Sequence, residues 1–536
     1  MQFWRRRVAT CRVDGTISPN TATGFPTKYD YPVGDSHTQC DDGDMVLFNG
    51  LLCAAGEQKG CDGVRDALDF ESGHWWRSPA IKLRNKDSVD QPNLNSDQAL
   101  GVMLYILQRN DAKAFRSWMH FIAMNGPCNS NACLGVRAAG LPISVPRFCG
   151  LKGNDSNNCM FRTNDCSLLL LIGHYLGEQR AAISVCGPLG WTGLPDPATF
   201  QPKIRDALSV YRGAYATITD LQEKIVELHK KLRFAPPPFP PLPPSPDDIE
   251  KNFGPVVSKL DKARDAAEGL LKVPDLGGFA VAYAAAAAGV QATAQVNGKE
   301  LKNGKLVPII DGPDVGKAAS ARHLAATSNF ILQKFQIKTP GLKEAAAELL
   351  RATPENPYFE FLAYGGPNEN MLSRIMKTCP ADDFDPDRKV RRFQWSWERQ
   401  DLKSSTAETM YWDCIFVGDL YQRGMQPVKV SGALRNFLPK VEDVLGAIHD
   451  AKEALEAQLE RVAKQATDLN GMKDALDHQL TSLKGIAEAA ARGAVPTYDP
   501  KTGVVTLPAP PGAPNVSVDT KKGNVNVGGV CVGFHC

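Results

Sequence analysis

The sequence predicts a mainly α protein: a toroid-like (α/α) helical domain interrupted by an inserted segment, then a coiled coil and a small β-hairpin tail. Three observations predict it. Apolar helical runs recur in the first 180 residues, an apolar position recurs every seven residues over 441–483, and short alternating stretches around glycine turns close the chain. The 536 residues leave room for two to four domains. The apolar share of 43% and charged share of 22% are those of an ordinary globular chain and exclude wholesale disorder or collagen.

Residues 1–29 read as an N-terminal arm. Its Arg5-Arg6-Arg7 cluster precedes Val8-Ala9-Thr10-Cys11-Arg12, which is no apolar core for a secretory signal. With 61 basic against 59 acidic residues, the net charge of +2 argues against a chain-wide nucleic-acid surface, and no nucleic-acid partner is expected.

Residues 30–210 form the first part of the helical domain. Asp44–Glu57, Asp97–Asp111 and Asp165–Glu178 each open on an aspartate, run for about three turns that are apolar nearly all round, and close at a carboxylate. An aspartate at a helix start accepts backbone N–H bonds and opposes the helix dipole. Amphipathic stretches such as Asp111–Met124 lie between, so buried helices alternate with half-buried ones, as in the inner and outer layers of a toroid.

The inserted segment spans 211–317. It holds an amphipathic helix over Asp220–Leu232, eight prolines within Ala235–Pro246, a helix over Ser258–Lys272, and a hairpin over Val296–Pro308. Leu276–Gly298 is uncharged for membrane-spanning length. It is mostly alanine and glycine with polar Gln291, Thr293, Gln295 and Asn297, which reads as a soluble Ala-rich helix or loop, with transient membrane contact as the alternative.

Residues 318–425 return to the helical domain. Ala319–Lys334 and Gly341–Thr353 read as amphipathic helices, Pro354–Pro357 as a breaker, Tyr358–Tyr364 as an aromatic turn, and Thr406–Gln422 as a buried helix. Over 430–492, Val441, Ile448, Leu455, Val462, Leu469, Leu476 and Leu483 keep one heptad phase. Leu445, Leu459, Ala466 and Leu480 supply much of a second seam. That pattern fits a coiled coil, with a homo-oligomer (trimer or dimer) through 441–483; a helix packed on its own domain, or a hairpin turning at Asn470-Gly471, uses the same residues. Residues 493–536 alternate like small hairpins, which need a partner chain or a Cys531–Cys536 bridge for stability.

Fourteen cysteines occur with no CxxC, so zinc-type spacing is absent and no metal or other cofactor is expected. Disulfides would suit work outside a cell. Cys53, Cys166 and Cys414 lie in apolar runs where buried thiols fit equally well. No Walker A, GxGxxG, HExxH or GxSxG pattern is present.

One constellation has chemistry in it. Glycoside cleavage needs two carboxylates about 5–10 Å apart and aromatic platforms for sugar rings. Asp44, Asp97 and Glu398 are the candidate catalytic acids. Trp75, Trp76, Arg77, Asp165, Trp395, Trp397 and Arg399 are the candidate substrate-binding residues. Each has a structural alternative: N-caps for the aspartates, core for the tryptophans, an ion pair for Glu398-Arg399. His174, inside an apolar run, reads as a core histidine.

The runs Gly34–Cys53, Gly73-His-Trp-Trp-Arg-Ser-Pro79, Ser96-Asp-Gln-Ala-Leu-Gly101, Gln394-Trp-Ser-Trp-Glu-Arg399 and Tyr411-Trp-Asp-Cys-Ile-Phe416 resemble a family of bacteriophage tail-appendage proteins. The helical domain of that family is similar to the six-hairpin (α/α) toroid of many glycosidases and polysaccharide lyases. The resemblance covers about residues 15–210 and 318–425, but not the Pro-rich and Ala-rich stretches. It implies a virion tail fibre or appendage that meets the host surface, with other virion tail proteins and a host surface glycan as partners. A depolymerase of bacterial surface polysaccharide is the alternative it leaves open.

Overall fold

The computed structural model describes residues 1–6, 8, 10–12, 17–18, 24–27, 45–84, 94–125, 137–138, 141–142, 146–149, 159–162, 164–187, 197–232, 239–274, 276–296, 298–302, 305–309, 315–379, 411–491, 497–499, 504–507, 516–519, 524–527 and 530–532. The described chain is mainly helical. In order come α1 (Gln2–Arg5), β1 (Thr10–Cys11), β2 (Ile17–Ser18), β3 (Phe25–Pro26), α2 (Met45–Ala54), α3 (Gln58–Asp66), α4 (Pro79–Arg84), α5 (Ser96–Arg109), α6 (Ala112–Asn125), β4 (Arg137–Ala138), β5 (Leu141–Pro142), α7 (Asp165–Leu176) and α8 (Gln179–Cys186). There follow α9 (Pro197–Lys231), α10 (Pro246–Lys251), α11 (Gly254–Leu271), α12 (Gly277–Val296), β6 (Lys299–Lys302), β7 (Lys305–Pro308), α13 (Val315–Gln333), α14 (Pro340–Ala352), α15 (Pro357–Tyr364), α16 (Glu369–Thr378), α17 (Tyr411–Arg423) and α18 (Gly432–Ala491). The chain closes with β8 (Thr497–Asp499), β9 (Val504–Leu507), β10 (Val516–Asp519), β11 (Asn524–Val527) and β12 (Val530–Val532).

Two compact units result: Met1–Gly193 with Ala266–Gly446, and Leu194–Asp265 with Ala447–Cys536. In the first unit the three all-round apolar runs are α2, α5 and α7. Every residue of α2 is buried, as are Gln98–Leu107 of α5 and most of α7. Each buried helix turns within a few residues into a half-buried one, giving the hairpins α2/α3, α5/α6 and α7/α8. The closing carboxylates of the three runs stand at those turns. Glu57 is the N-cap of α3, Asp111 accepts from the backbone N–H of Ala114 at 2.9 Å, and Glu178 precedes α8 and pairs with Arg116 of α6.

The close contact in this unit is α2 on α5. A Cβ added at Gly50 would lie 2.3 Å from the Gly101 carbonyl oxygen, and one at Gly101 would lie 2.2 Å from that of Val46. Around them α5 packs on α7 and α13, α7 on α12, α12 on α13 and α14, α14 on α15, α15 on α17, and α17 back on α2. The Ala-rich stretch, expected within the insertion, is therefore core here. As α12, with Phe279–Ala287 buried, it is apolar on all sides and needs cover on all sides. It is long and apolar enough to cross a membrane by length and composition, yet it is built into the unit. It runs against the direction of α7, because Gly278 abuts His174 near the end of α7 and Gly289 abuts Asn164 at its start.

Local chemistry explains further differences. Tyr358–Tyr364 is helical rather than a turn. Pro357 takes the first helical position and the Asn356 carboxamide accepts from the N–H groups of Tyr358 and Phe359, which caps α15. The expected hairpin over 296–308 forms as β6 and β7, pairing Lys302 with Lys305. The arm is not free over its described part: α1 packs on α17, and β3 packs on α2 and α3.

Among the described residues, four disulfides join two described cysteines. Cys53–Cys61 joins α2 to α3, Cys166–Cys186 joins α7 to α8, Cys379–Cys414 joins the end of α16 to α17, and Cys149–Cys159 lies beside the antiparallel bridge between Arg147 and Met160. Cys11 is disulfide-bonded too. Cys53, Cys166 and Cys414 are thus bridged rather than buried thiols. The hairpins α2/α3 and α7/α8 bring their cysteines to Cα separations of 4.5 and 5.5 Å, inside the range a bridge requires. Cys536 lies outside the described residues, and Cys531 is described as backbone of β12.

In the second unit, the expected boundary at 210/211 falls inside the continuous helix α9. Ile204, Leu208, Tyr211, Ile218, Ile225 and His229 keep a heptad phase along α9, and all are buried. The hydroxyl of Tyr211 donates to the Pro244 carbonyl at 2.7 Å, which pins the Pro-rich stretch against α9. The helix α18, whose residues up to Gly446 belong to the first unit, does not turn at Asn470-Gly471. All seven heptad positions from Val441 to Leu483 are buried within one chain. Lys224 of α9 lies within electrostatic reach of Asp477 of α18. The second seam shifts along the helix: Val444, Ala451 and Gln458 are buried in the first half, Ala466 and Leu480 in the second, while Leu445 and Leu459 are half-buried.

The tail is one five-stranded antiparallel sheet, β12-β11-β10-β9-β8. Its register sorts the residues by face. One row across all five strands reads Tyr498, Val505, Val518, Val525, Val532, and the next row on that face reads Leu507, Val516, Val527, Val530. The rows of the other face read Thr497, Thr506, Ser517, Asn526, Cys531 and Asp499, Val504, Asp519, Asn524.

Candidate functional site

The starts of the buried helices meet at one end of the first unit. Asp165, the first residue of α7, is buried. Its carboxylate accepts from the Arg162 backbone N–H at 2.7 Å and from the Arg162 guanidinium at 3.3 Å. The same guanidinium donates to the carbonyl of Ser96, the first residue of α5. One arginine therefore ties the start of α7 to the start of α5, where Asp97 stands half-buried in the first turn. Burial pushes the Asp165 carboxyl up, and the Arg162 charge and hydrogen bonds pull it down. At the start of α2, the N–H of Val46 donates to the carbonyl of Arg77 at 3.2 Å.

Of the expected catalytic acids, Asp97 is described; Asp44 and Glu398 lie outside the described residues, as do Trp395, Trp397 and Arg399. Trp75 and Trp76, expected as platforms for sugar rings, are both buried. Trp75 is fully buried, with Tyr105 and Trp118 packed edge-on at centroid distances of 5.8 and 6.5 Å, and its Nε1 has no hydrogen-bond partner. Trp76 is 6% exposed and lies 4.3 Å from the His74 ring. An all-round apolar α5 must be covered on its outer side, and Trp75 with Trp118 of α6 supplies that cover. Arg77 is buried as well, and Asp165 is held as an ion pair, so neither is open to a ligand. His174 is half-buried against Gly278 of α12, and desolvation lowers its pKa.

A second charged cluster, which the sequence reading passed over, forms where α2 and α17 end. Arg5 of α1 pairs with Glu57 at 2.5 Å and with Asp419 of α17 at 3.3 Å. Arg423 pairs with Asp419 at 3.5 Å and donates to the Gly56 carbonyl at 2.6 Å. The α1 segment seats on α17 at Gly418, where a Cβ would lie 2.4 Å from the Met1 sulfur. The sequence signal was Glu57 itself, the carboxylate that closes the first repeat; its partners come from positions 5 and 419. Burial raises the Asp419 carboxyl, Arg423 and Arg5 lower it, and Glu57 raises it further. The arrangement is a charge-neutralised anchor for the N-terminal segment.

Replacing Arg5 by alanine removes the ion pair on Glu57 and leaves Asp419 with Arg423. With the Asp419 pKa above its unfolded value, the native state holds more protons than the unfolded state just above the carboxylate range. Stability then falls as pH rises through that window, and removing Arg5 widens it. The expected loss is about 1–3 kcal/mol at pH 7.5 and visibly less at pH 4.5. Urea midpoints of wild type and Arg5→Ala at the two pH values check it; equal losses at both would refute the anchor.

At the same end, the ammonium of Lys334, the residue that follows α13, is fully buried. It donates to the Ala54 carbonyl at 3.4 Å, the Gln108 side-chain oxygen at 2.8 Å and the Gln426 carbonyl at 2.6 Å. These acceptors stand at the ends of α2 and α5 and just beyond α17. Together with Arg162 at the opposite end, this shows that α2 and α5 run in the same direction and that the starts of α5 and α7 are adjacent. Comparison with protein-family models, with curated proteins and with solved structures finds no match.

Proposed function

We propose that the protein is a structural protein of a bacteriophage virion, a tail fibre or appendage that oligomerises and contacts the host cell surface. The observation that carries the reading is the disulfide set, because bridges between paired helices persist outside the reducing cytosol. The motif resemblance at Gly73–Pro79 and Ser96–Gly101 points the same way. On this reading the first unit is built on an (α/α) toroid. Its support is the repeated pairing of an all-buried helix with a half-buried one in α2/α3, α5/α6 and α7/α8. The heptads of α9 and α18 are read as a coiled coil, with assembly of two or three copies through 441–483. Because those positions are already buried within one chain, such assembly would exchange or extend contacts the chain makes with itself. Other virion tail proteins and a host surface glycan are the partners, and the virion is its location.

A second reading, a glycoside hydrolase or lyase-like depolymerase of surface polysaccharide, is favoured by one observation. Arg162 brings the Asp97 and Asp165 helix starts together. Purified particles and host cells test both readings. The chain is expected among the virion proteins by mass spectrometry, and the purified protein is expected to compete with particles for adsorption. Its absence from particles would refute the first reading. Reducing-end release from host polysaccharide that Asp97→Asn abolishes would establish the second.

A further inference from the structure

We infer that the guanidinium of Arg147 is the receptor for an oxyanion, a carboxylate or a phosphate, borne by a host surface glycan. The inference deepens the glycan part of the reading above and rests on it only for the molecule that bears the anion. Arg147 is 7% exposed, and its Nε has no hydrogen-bond partner. Among the described residues no carboxylate pairs with the guanidinium. The other buried charges of the first unit described above are all partnered. Asp165 pairs with Arg162, Asp419 with Arg5 and Arg423, and Lys334 donates to three oxygens. An arginine is rarely buried without a partner, because the lost hydration of the charge is then offset by nothing.

The backbone that carries Arg147 is firmly placed. Arg147 and Met160 face each other in an antiparallel bridge, closed by the Phe148 N–H on the Cys159 carbonyl at 2.8 Å and the Phe161 N–H on the Pro146 carbonyl at 3.0 Å. In such a pair both side chains stand on one face, and the flanking residues on the other. There the Phe148 and Phe161 rings stack at 4.1 Å, and Phe148 lies 5.6 Å from Trp118 of α6. Two residues beyond Met160 is Arg162, which ties the starts of α5 and α7. The bridge thus joins the end of the unit where Asp97 stands half-buried. A guanidinium offers its N–H groups as a planar fork that matches two oxygens of a carboxylate or phosphate. A neutral sugar hydroxyl would leave the charge uncompensated, so the ligand group is an anion.

Titration calorimetry of the full-length protein uses tetragalacturonate as the carboxylate probe, glucose 6-phosphate as the phosphate probe and maltotetraose as the neutral one. Wild type is expected to bind one of the two anionic sugars about tenfold or more tighter than maltotetraose, and which one binds separates carboxylate from phosphate. Arg147→Met, which keeps the length and drops the charge, is expected to lose that margin. Arg147→Lys, which keeps the charge and drops the fork, is expected to retain part of it. Melting gives a second readout. Without sugar, Arg147→Met is expected to melt at or above wild type, since an unpaired buried charge has been removed. The anionic sugar is expected to raise the melting temperature of wild type and not of Arg147→Met. An Arg147→Met chain that melts well below wild type would show that the guanidinium has a partner within the protein, and would overturn the inference. Anionic-sugar binding that survives Arg147→Met, or a wild type that binds neither anionic sugar, would overturn it as well, and each of these outcomes leaves the virion reading standing. Arg147-dependent binding by a protein absent from particles would overturn that reading and leave the oxyanion site.

Discussion

Replacing Gly101 by valine is expected to lower the stability of the first unit by about 3–5 kcal/mol, a large share of the 5–15 kcal/mol of a typical domain. At this position the helices α2 and α5 meet backbone to backbone. An added Cβ would lie 2.2 Å from the Val46 carbonyl oxygen and 2.5 Å from the Leu47 Cα, and neither atom can swing away as a flexible side chain could. The two helices would have to separate, and each is apolar and buried along most of its length, so separation opens voids on both sides of the contact. Gly213 of α9 is the control. It has nothing within 4 Å of its Cβ direction, so Gly213→Ala is expected to be neutral or to stabilise by about 0.5–1 kcal/mol through helix propensity alone. Calorimetry of the two variants beside wild type decides the matter. A Gly101→Val chain that melts with wild type would mean that the helices do not touch there.

Lys334→Met is expected to cost about 3 kcal/mol and to change how stability depends on pH. Methionine fills the same volume but leaves the carbonyls of Ala54 and Gln426 and the Gln108 side-chain oxygen without their donor in a site closed to water. Burial lowers the Lys334 pKa to about 7, while the amine of an unfolded chain titrates near 10.4. The acceptors at the ends of α2 and α5 are carbonyl-rich and favour a cation, yet burial dominates. Between the two values the unfolded state holds more protons than the native state. Wild-type stability should therefore rise with pH from about 7 towards 10, and the slope from this group should vanish below 7, where both states are protonated. Urea midpoints measured from pH 6 to 10 should show that rise in wild type and its reduction in Lys334→Met. Parallel curves for the two chains would show that the amine does not titrate in this window.

How much could be read before any coordinates depended on the range of the interaction. The three Asp-opened repeats, the 441–483 heptad and the Asn-Gly hairpin are local patterns. Their period of 3.6, 7 or 2 residues is written along the chain, and each appears as an element close to where the pattern placed it. The helical character of Tyr358–Tyr364 was misread because capping by Asn356 outweighs the breaker character of Pro357 once that proline occupies the first helical position. Trp75 and Trp76 illustrate the opposite difficulty. An indole reads identically in a core and in a sugar cleft, and only packing against Tyr105, Trp118 and His74 distinguishes the two.

Periodicity and composition were enough to establish a mainly helical chain with all-round apolar helices and a strand-forming tail, because burial on every side demands apolar residues on every side. Partnership was not encoded in any such period. That α12 packs on α7, that Arg5 pairs both with Glu57 and with Asp419, 414 positions further on, and that Lys334 donates to groups at the ends of α2 and α5 each required the folded chain. A charged side chain announces that it needs a partner, and an apolar helix that it needs cover, but neither specifies which one. The selection is made by whichever surfaces fit most closely once the helices pack, as where two glycines let α2 and α5 touch.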